Sequence, residues 1–71
     1  MVLEKLDDGG SGVVARIQGG SGMRSRLLRL GIIPGVPVRK LQGGSNGPVV
    51  LEVLGSNVML GRGMAEVIEI R

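Results

Sequence analysis

Arg24, Arg26 and Arg29 fall within six residues of one another with Leu28 among them, in a chain of 71 residues. An apolar side chain set among arginines suits a protein interface, where Arg is enriched. Other reactive types are scarce. The sequence has no His and no Cys, which excludes disulfides, thiolate metal sites and imidazole acid–base chemistry. Ser11, Ser21, Ser25, Ser45 and Ser56 have no His to activate them. Glu4, Asp7, Asp8, Glu52, Glu66 and Glu69 read as solvated ends or strand faces, so catalysis is not expected.

Two further chemistries are suggested and set aside. Gly19-Gly20-Ser21-Gly22 ahead of a helix offers backbone N–H groups to a phosphate. A P-loop closes its glycine run with Lys-Ser or Lys-Thr, and Met23-Arg24 supplies neither, so a flexible turn is the expectation. Iron(II) and zinc favour imidazole, thiolate and clustered carboxylate ligands. With oxygen donors alone, Asp7-Asp8 offers at most a weak, exposed cation site, so no metal site and no cofactor are expected.

The arginines need a helix to present them, and Ser21–Val38 (SGMRSRLLRLGIIPGVPV) contains its signals. Ser21 is placed as N-cap. Met23, Leu27 and Leu30 recur at i, i+4 and i+7, which predicts one buried face. Leu28 falls about 140° from Met23 at 100° per residue, on the outer side with the arginines. Gly31 is expected to stop the helix with a positive φ, Ile32 and Ile33 to return to the core, and Pro34-Gly35 to form a type II turn.

The remainder reads as short strands punctuated by glycine, of which there are 14. Leu3 and Leu6 pin an opening turn or irregular segment to the core, and Asp7–Gly12 is a loop. Val13–Ile17 is the first strand, with Val13, Ala15 and Ile17 facing inward. Val36–Leu41 is the second, Val36 and Val38 inward and Arg39 outward, with Pro37 held to its start or to an edge. Gln42–Pro48 is a hairpin loop returning through Val49–Leu54, whose inner face is Leu51 and Val53. Gly55-Ser56-Asn57 turns into Val58–Leu60. Gly61–Ala65 makes a single helical or 3₁₀ turn, and Glu66–Arg71 closes the chain with Ile68 and Ile70 on one side.

Length allows one domain, residues 1–71, with a core of Val, Leu, Ile, Met and Ala because there is no aromatic residue. The fold class is all-β: a small SH3-like barrel of about five short strands, with one short helix after the first strand. A net charge of +3 weakly favours acidic partners, anionic lipid headgroups or nucleic acid, but such a surplus is more often only a solvated surface. No apolar run approaches a membrane span, and MVLEKLDDGG lacks the apolar centre of a signal peptide, so a soluble cytoplasmic protein is expected.

Arg26-Leu27 through LGIIPG (Leu30–Gly35), then Gly47-Pro48, then LGRGMAEVI (Leu60–Ile68), resembles the FeoA family, ferrous iron transport protein A. RL-x-x-LG-x-x-PG is the most specific part. The resemblance implies an SH3-like fold, a cytoplasmic location and a role supporting FeoB, the membrane transporter that moves ferrous iron with a GTP-hydrolysing domain. Transition-metal-ion binding enters only as a family-level property. Family domains also occur at the C-terminal end of metal-dependent transcription regulators. No helix-turn-helix precedes the motif in this sequence, so the free-standing form is the closer match.

The expected partner is therefore the cytoplasmic part of a FeoB-type transporter, with the membrane reached only through it and the chain itself a monomer. The expected contact residues are Arg24, Arg26, Leu28 and Arg29, with Arg62 of LGRGMA joining them. Equally, Leu28 covers a neighbouring loop and the arginines are simply solvated. The rival class is an SH3-like module associated with nucleic acid or a regulator. Without aromatic side chains it has nothing to stack on a base, and no nucleic acid is expected.

Overall fold

Val49, Leu51 and Val53 alternate with Val50 and Glu52, and this period of two makes strand Val49–Val53 the inner wall of the protein. All three are buried in the computed structural model, which describes residues 1–43 and 47–71. The expected Gln42–Pro48 loop thus lies partly outside the described residues. In chain order the strands are β1 (Ser11–Ile17), β2 (Pro37–Gln42), β3 (Val49–Val53), β4 (Ser56–Leu60) and β5 (Ile68–Ile70). Helix α1 (Ser21–Arg29) follows β1, and a four-residue helix α2 (Arg62–Ala65) precedes β5. A 3₁₀ turn, Leu3–Lys5, opens the chain.

The sheet is antiparallel throughout, in the order β4-β3-β2-β1-β5. Its core is aliphatic, with Leu3, Val14, Leu27, Ile32, Val49, Leu51, Leu60, Ala65 and Ile68 fully enclosed. Leu3 is buried and Leu6 packs against the core, so the opening turn is pinned as expected. Ile68 and Ile70 are likewise buried on one side of β5.

Three strands depart from the sequence expectation. β1 begins at Ser11, because Ser11 and Gly12 pair with Arg39 and Val38, which shortens the expected loop. Its buried residues are Val14 and Ile17, not Val13, Ala15 and Ile17. The β1–β5 register shifts between Val14 and Arg16, and one irregular step converts a spacing of two into three. The turn before β4 is Leu54-Gly55, closed by the pair Val53–Ser56, so Ser56 and Asn57 belong to the strand. Leu54 has φ 51° and Gly55 φ 83°, the double positive φ of a type I′ hairpin, with leucine where Asn or Gly is usual.

β2 holds the least expected feature. Pro37 is its first residue, as a missing N–H requires, and Arg39 points outward. Val36 lies before the strand and is only partly buried against the core. Lys40 is inward and 3% exposed. Its Nζ donates to the carbonyls of Leu6 at 2.6 Å and Glu4 at 3.0 Å. These acceptors lie at the C-terminal end of the 3₁₀ turn, where a helical turn leaves carbonyls without internal partners and favours a cation. Lys40 O also accepts from Gly9 N at 2.6 Å, and Lys40 N donates to Gly10 O at 2.8 Å. One residue of β2 thus fastens the N-terminal segment across the end of the core.

Candidate interaction surface on the first helix

Helix α1 is seated through Leu27, which is fully buried, and Met23, which packs partly against the core. The expected third member of that face, Leu30, is instead the C-cap and 39% exposed. Ser21 is not the N-cap. That position is Gly20, in extended backbone, and no side chain caps the helix.

The helix ends in a Schellman motif. Ile32 N donates to Leu27 O at 2.9 Å and Gly31 N to Leu28 O at 3.0 Å, with Gly31 at φ 83°. The chain then turns through Pro34-Gly35, with Val36 N donating to Ile33 O at 3.2 Å and Gly35 at φ 94°, as a type II turn demands. Gly35 N donates to Val14 O and Val14 N to Val36 O, so the turn is laced to β1. Ile32 is buried, but Ile33 is 42% exposed: two adjacent isoleucines cannot both face inward here, and Ile33 occupies the corner of the turn.

Gly31 carries a prediction. Val at this position adds a branched side chain to a left-handed backbone, and its Cβ meets Leu54 Cδ1 at 3.4 Å and Val53 Cγ1 at 3.8 Å. Gly31→Val is therefore expected to cost more than about 1 kcal/mol in a denaturant titration. A variant whose midpoint matches the wild type would show that the helix stop does not depend on that conformation.

On the outer side of α1, Leu28 is 60% exposed, as its helical phase requires, and Arg24, Arg26 and Arg29 are exposed with it. Among the described residues Arg24, Arg26 and Arg29 form no ion pair, whereas Arg16 on the neighbouring β1 lies 4.0 Å from Glu69. Arg24 Nη2 donates to Ile17 O at 3.2 Å, which holds that guanidinium against the end of β1. Beneath it, Ile17, Leu28, Ile32, Ile33 and Pro34 join Arg24 in lining an open apolar groove of about 300 Å³. Sequence periodicity rightly put Ile17 in the core, but it also placed Ile33 there and so missed this groove. The adjacency of Ile32 and Ile33 before a proline was the available sign.

Arg62 sits elsewhere. Its Nη1 is 3.8 Å from Glu4 Oε1, its Nη2 donates to Gly43 O at 3.4 Å, and its side chain is 25% exposed. It braces α2 against the N-terminal turn and the end of β2, and has less to offer a partner than the arginines of α1.

Among the described residues, no three carboxylate, imidazole or thiol side chains lie close enough to hold a metal ion, and no helix is long and apolar enough to cross a membrane. A chain with oxygen donors only and no cluster among them is expected to bind Fe(II) or Zn(II) no more tightly than about the millimolar range of weak oxygen sites. Anaerobic calorimetry reads this directly, and a stoichiometric micromolar site on the monomer would contradict it.

Five antiparallel strands, with one helix after the first and a four-residue helix before the last, define a small SH3-like domain. The FeoA domain model matches residues 1–71, and the chain belongs to the FeoA family. A protein of Methanocaldococcus jannaschii, provisionally named Fe(2+) transport protein A, is 38% identical over 53 residues, which cover 75% of this chain and 63% of that protein. The chain thus spans less than two thirds of that relative's length. Among solved structures, an iron uptake regulatory protein described as FeoA is 30% identical and superposes with a TM-score of 0.96, over 100% of this chain and 95% of that one. The zinc complex of FeoA from Stenotrophomonas maltophilia, described as a prokaryotic SH3 domain protein, is 26% identical with a TM-score of 0.85, over 100% and 89%.

Proposed function

We propose that this chain is a small cytoplasmic accessory protein of ferrous iron uptake, acting by binding the cytoplasmic part of a FeoB-type GTP-hydrolysing membrane transporter. Family membership supplies the process. What supports a binding role is the α1 face: Leu28 stands 60% exposed beside Arg24, Arg26 and Arg29 on a helix without an acidic residue. Charge so arranged steers an acidic partner, and an exposed apolar side chain gives it something to bury. Arg62 would have to give up Glu4 and Gly43 to take part, so its role is assigned to holding the fold. Iron is cargo handled by the partner; this chain's own residues supply recognition.

The test is retention of the chain on the immobilised cytoplasmic domain of the transporter, repeated with excess nucleic acid. Retention that survives the competitor is expected. Release by nucleic acid would favour the rival module, because phosphate contacts from arginines are then the dominant interaction.

A further inference from the structure

The two edges of the sheet are not equivalent. Beyond β5, Val2 bridges Glu69 and Ile70 N donates to Met1 O at 2.6 Å, so the N-terminal segment covers that edge. Beyond β4, no strand or backbone hydrogen bond is present among the described residues. Natural edges are usually guarded by charge, proline or a bulge. β4 reads Ser-Asn-Val-Met-Leu, with no charged residue and no proline, and it pairs with β3 over five consecutive residues without a register shift.

The hairpin geometry says which groups are open. Val53–Ser56 closes a two-residue turn, so it is a hydrogen-bonded pair, and the alternation along the ladder directs Ser56, Val58 and Leu60 toward β3. The N–H and C=O groups of Asn57 and Met59 therefore point away from the sheet. Met59 is 68% exposed on the outer face, and Val58, on the inner face, is only partly covered.

We propose that β4 pairs antiparallel with β4 of a second copy of this chain across a two-fold axis at Val58. In that register Asn57 faces Met59 of the other copy, and symmetry yields four backbone hydrogen bonds from the open groups of both strands. The two Val58 side chains meet on the axis as a non-hydrogen-bonded pair and extend the apolar core from one copy to the next. Each Met59 covers the opposing Asn57. The second copy is favoured as occupant because the strand is self-complementary and uncharged, so no like charges meet across the axis although each chain carries +3. This departs from the monomer expected from sequence, which has no way of showing which strand ends the sheet.

An interface of one strand edge is small, and small interfaces are weak. Sedimentation equilibrium from about 10 µM to about 1 mM is expected to show the mass rising from 7.4 kDa toward twice that value. Over the same range, hydrogen exchange at the Asn57 and Met59 amides should slow in step with the dimer fraction. Met59→Lys and Asn57→Lys, which guard the edge with charge, should weaken self-association at least about tenfold without changing the monomer's melting curve. A mass fixed at 7.4 kDa throughout would overturn the proposal, the open edge then being left for an extended segment of another protein. So would a dimer in which Asn57 and Met59 exchange as in the monomer, or one that both lysine variants leave intact.

Discussion

Lys40→Met should lower the stability of this domain by about 2–4 kcal/mol. Met keeps the length and apolar stem of the side chain, so the loss falls on the two hydrogen bonds from Nζ to Leu6 O and Glu4 O, at 2.6 and 3.0 Å. A hydrogen bond from a charged donor contributes about 1.5–3 kcal/mol, and its removal leaves a carbonyl without its partner beside the core. Relief from burying the Lys40 amine offsets part of this cost. For a domain of this size each kcal/mol shifts the melting temperature by about 4–8 °C, so a fall of about 8 °C or more is expected. Proteolysis or hydrogen exchange should show the N-terminal segment loosening first, because both lost hydrogen bonds are to its carbonyls at Glu4 and Leu6. A variant melting within a degree or two of wild type would mean that the opening turn holds itself in place.

Lys40 also marks a limit of sequence reading. In Val-Arg-Lys-Leu, two adjacent cations on a strand of period two must point to opposite faces, and Arg39 was rightly placed outside. That leaves Lys40 inside, an arrangement that only a tertiary partner permits. The carbonyls that accept it come from residues more than 30 positions away. Val14 was hidden for a related reason: the shift between Val14 and Arg16 is set by pairing with β5 at the other end of the chain. By contrast, the inward faces of β3 and β5, the helical turn at Gly61–Ala65, the positive φ of Gly31 and the Pro34-Gly35 turn were legible, because each is fixed by a local rule of periodicity or backbone sterics; the strand ends were not, since Leu54 belongs to the turn and β5 is only Ile68–Ile70.

The site divides along the same line. Helical phase alone put Leu28 outside with the arginines, and it is 60% exposed. The groove beside it was not legible, since it exists only where β1, α1 and the turn at Pro34 converge. Nor was the contact of Arg62 with Glu4, which depends on α2 packing near the opening turn.

The second large effect concerns binding. Interface energy concentrates in a few residues, and truncating one such residue costs about 2 kcal/mol or more, roughly a thirty-fold loss of affinity. Leu28→Ala removes the apolar anchor and Arg29→Ala a neighbouring charge, and both side chains are exposed in the free domain. Each variant should therefore bind the transporter's cytoplasmic part about thirty-fold more weakly while melting within about 0.5 kcal/mol of wild type. The wild-type affinity should also fall with salt, because a Debye length of about 8 Å at physiological ionic strength screens the arginines from an acidic patch.

Titration of the transporter's cytoplasmic domain with wild type, Leu28→Ala and Arg29→Ala, at low and high salt and with thermal melts alongside, is the most direct test. The expected result is salt-sensitive wild-type binding that both substitutions weaken in folded protein. Normal binding by both variants at low salt would reduce the α1 face to a solvated surface and contradict the proposed docking site.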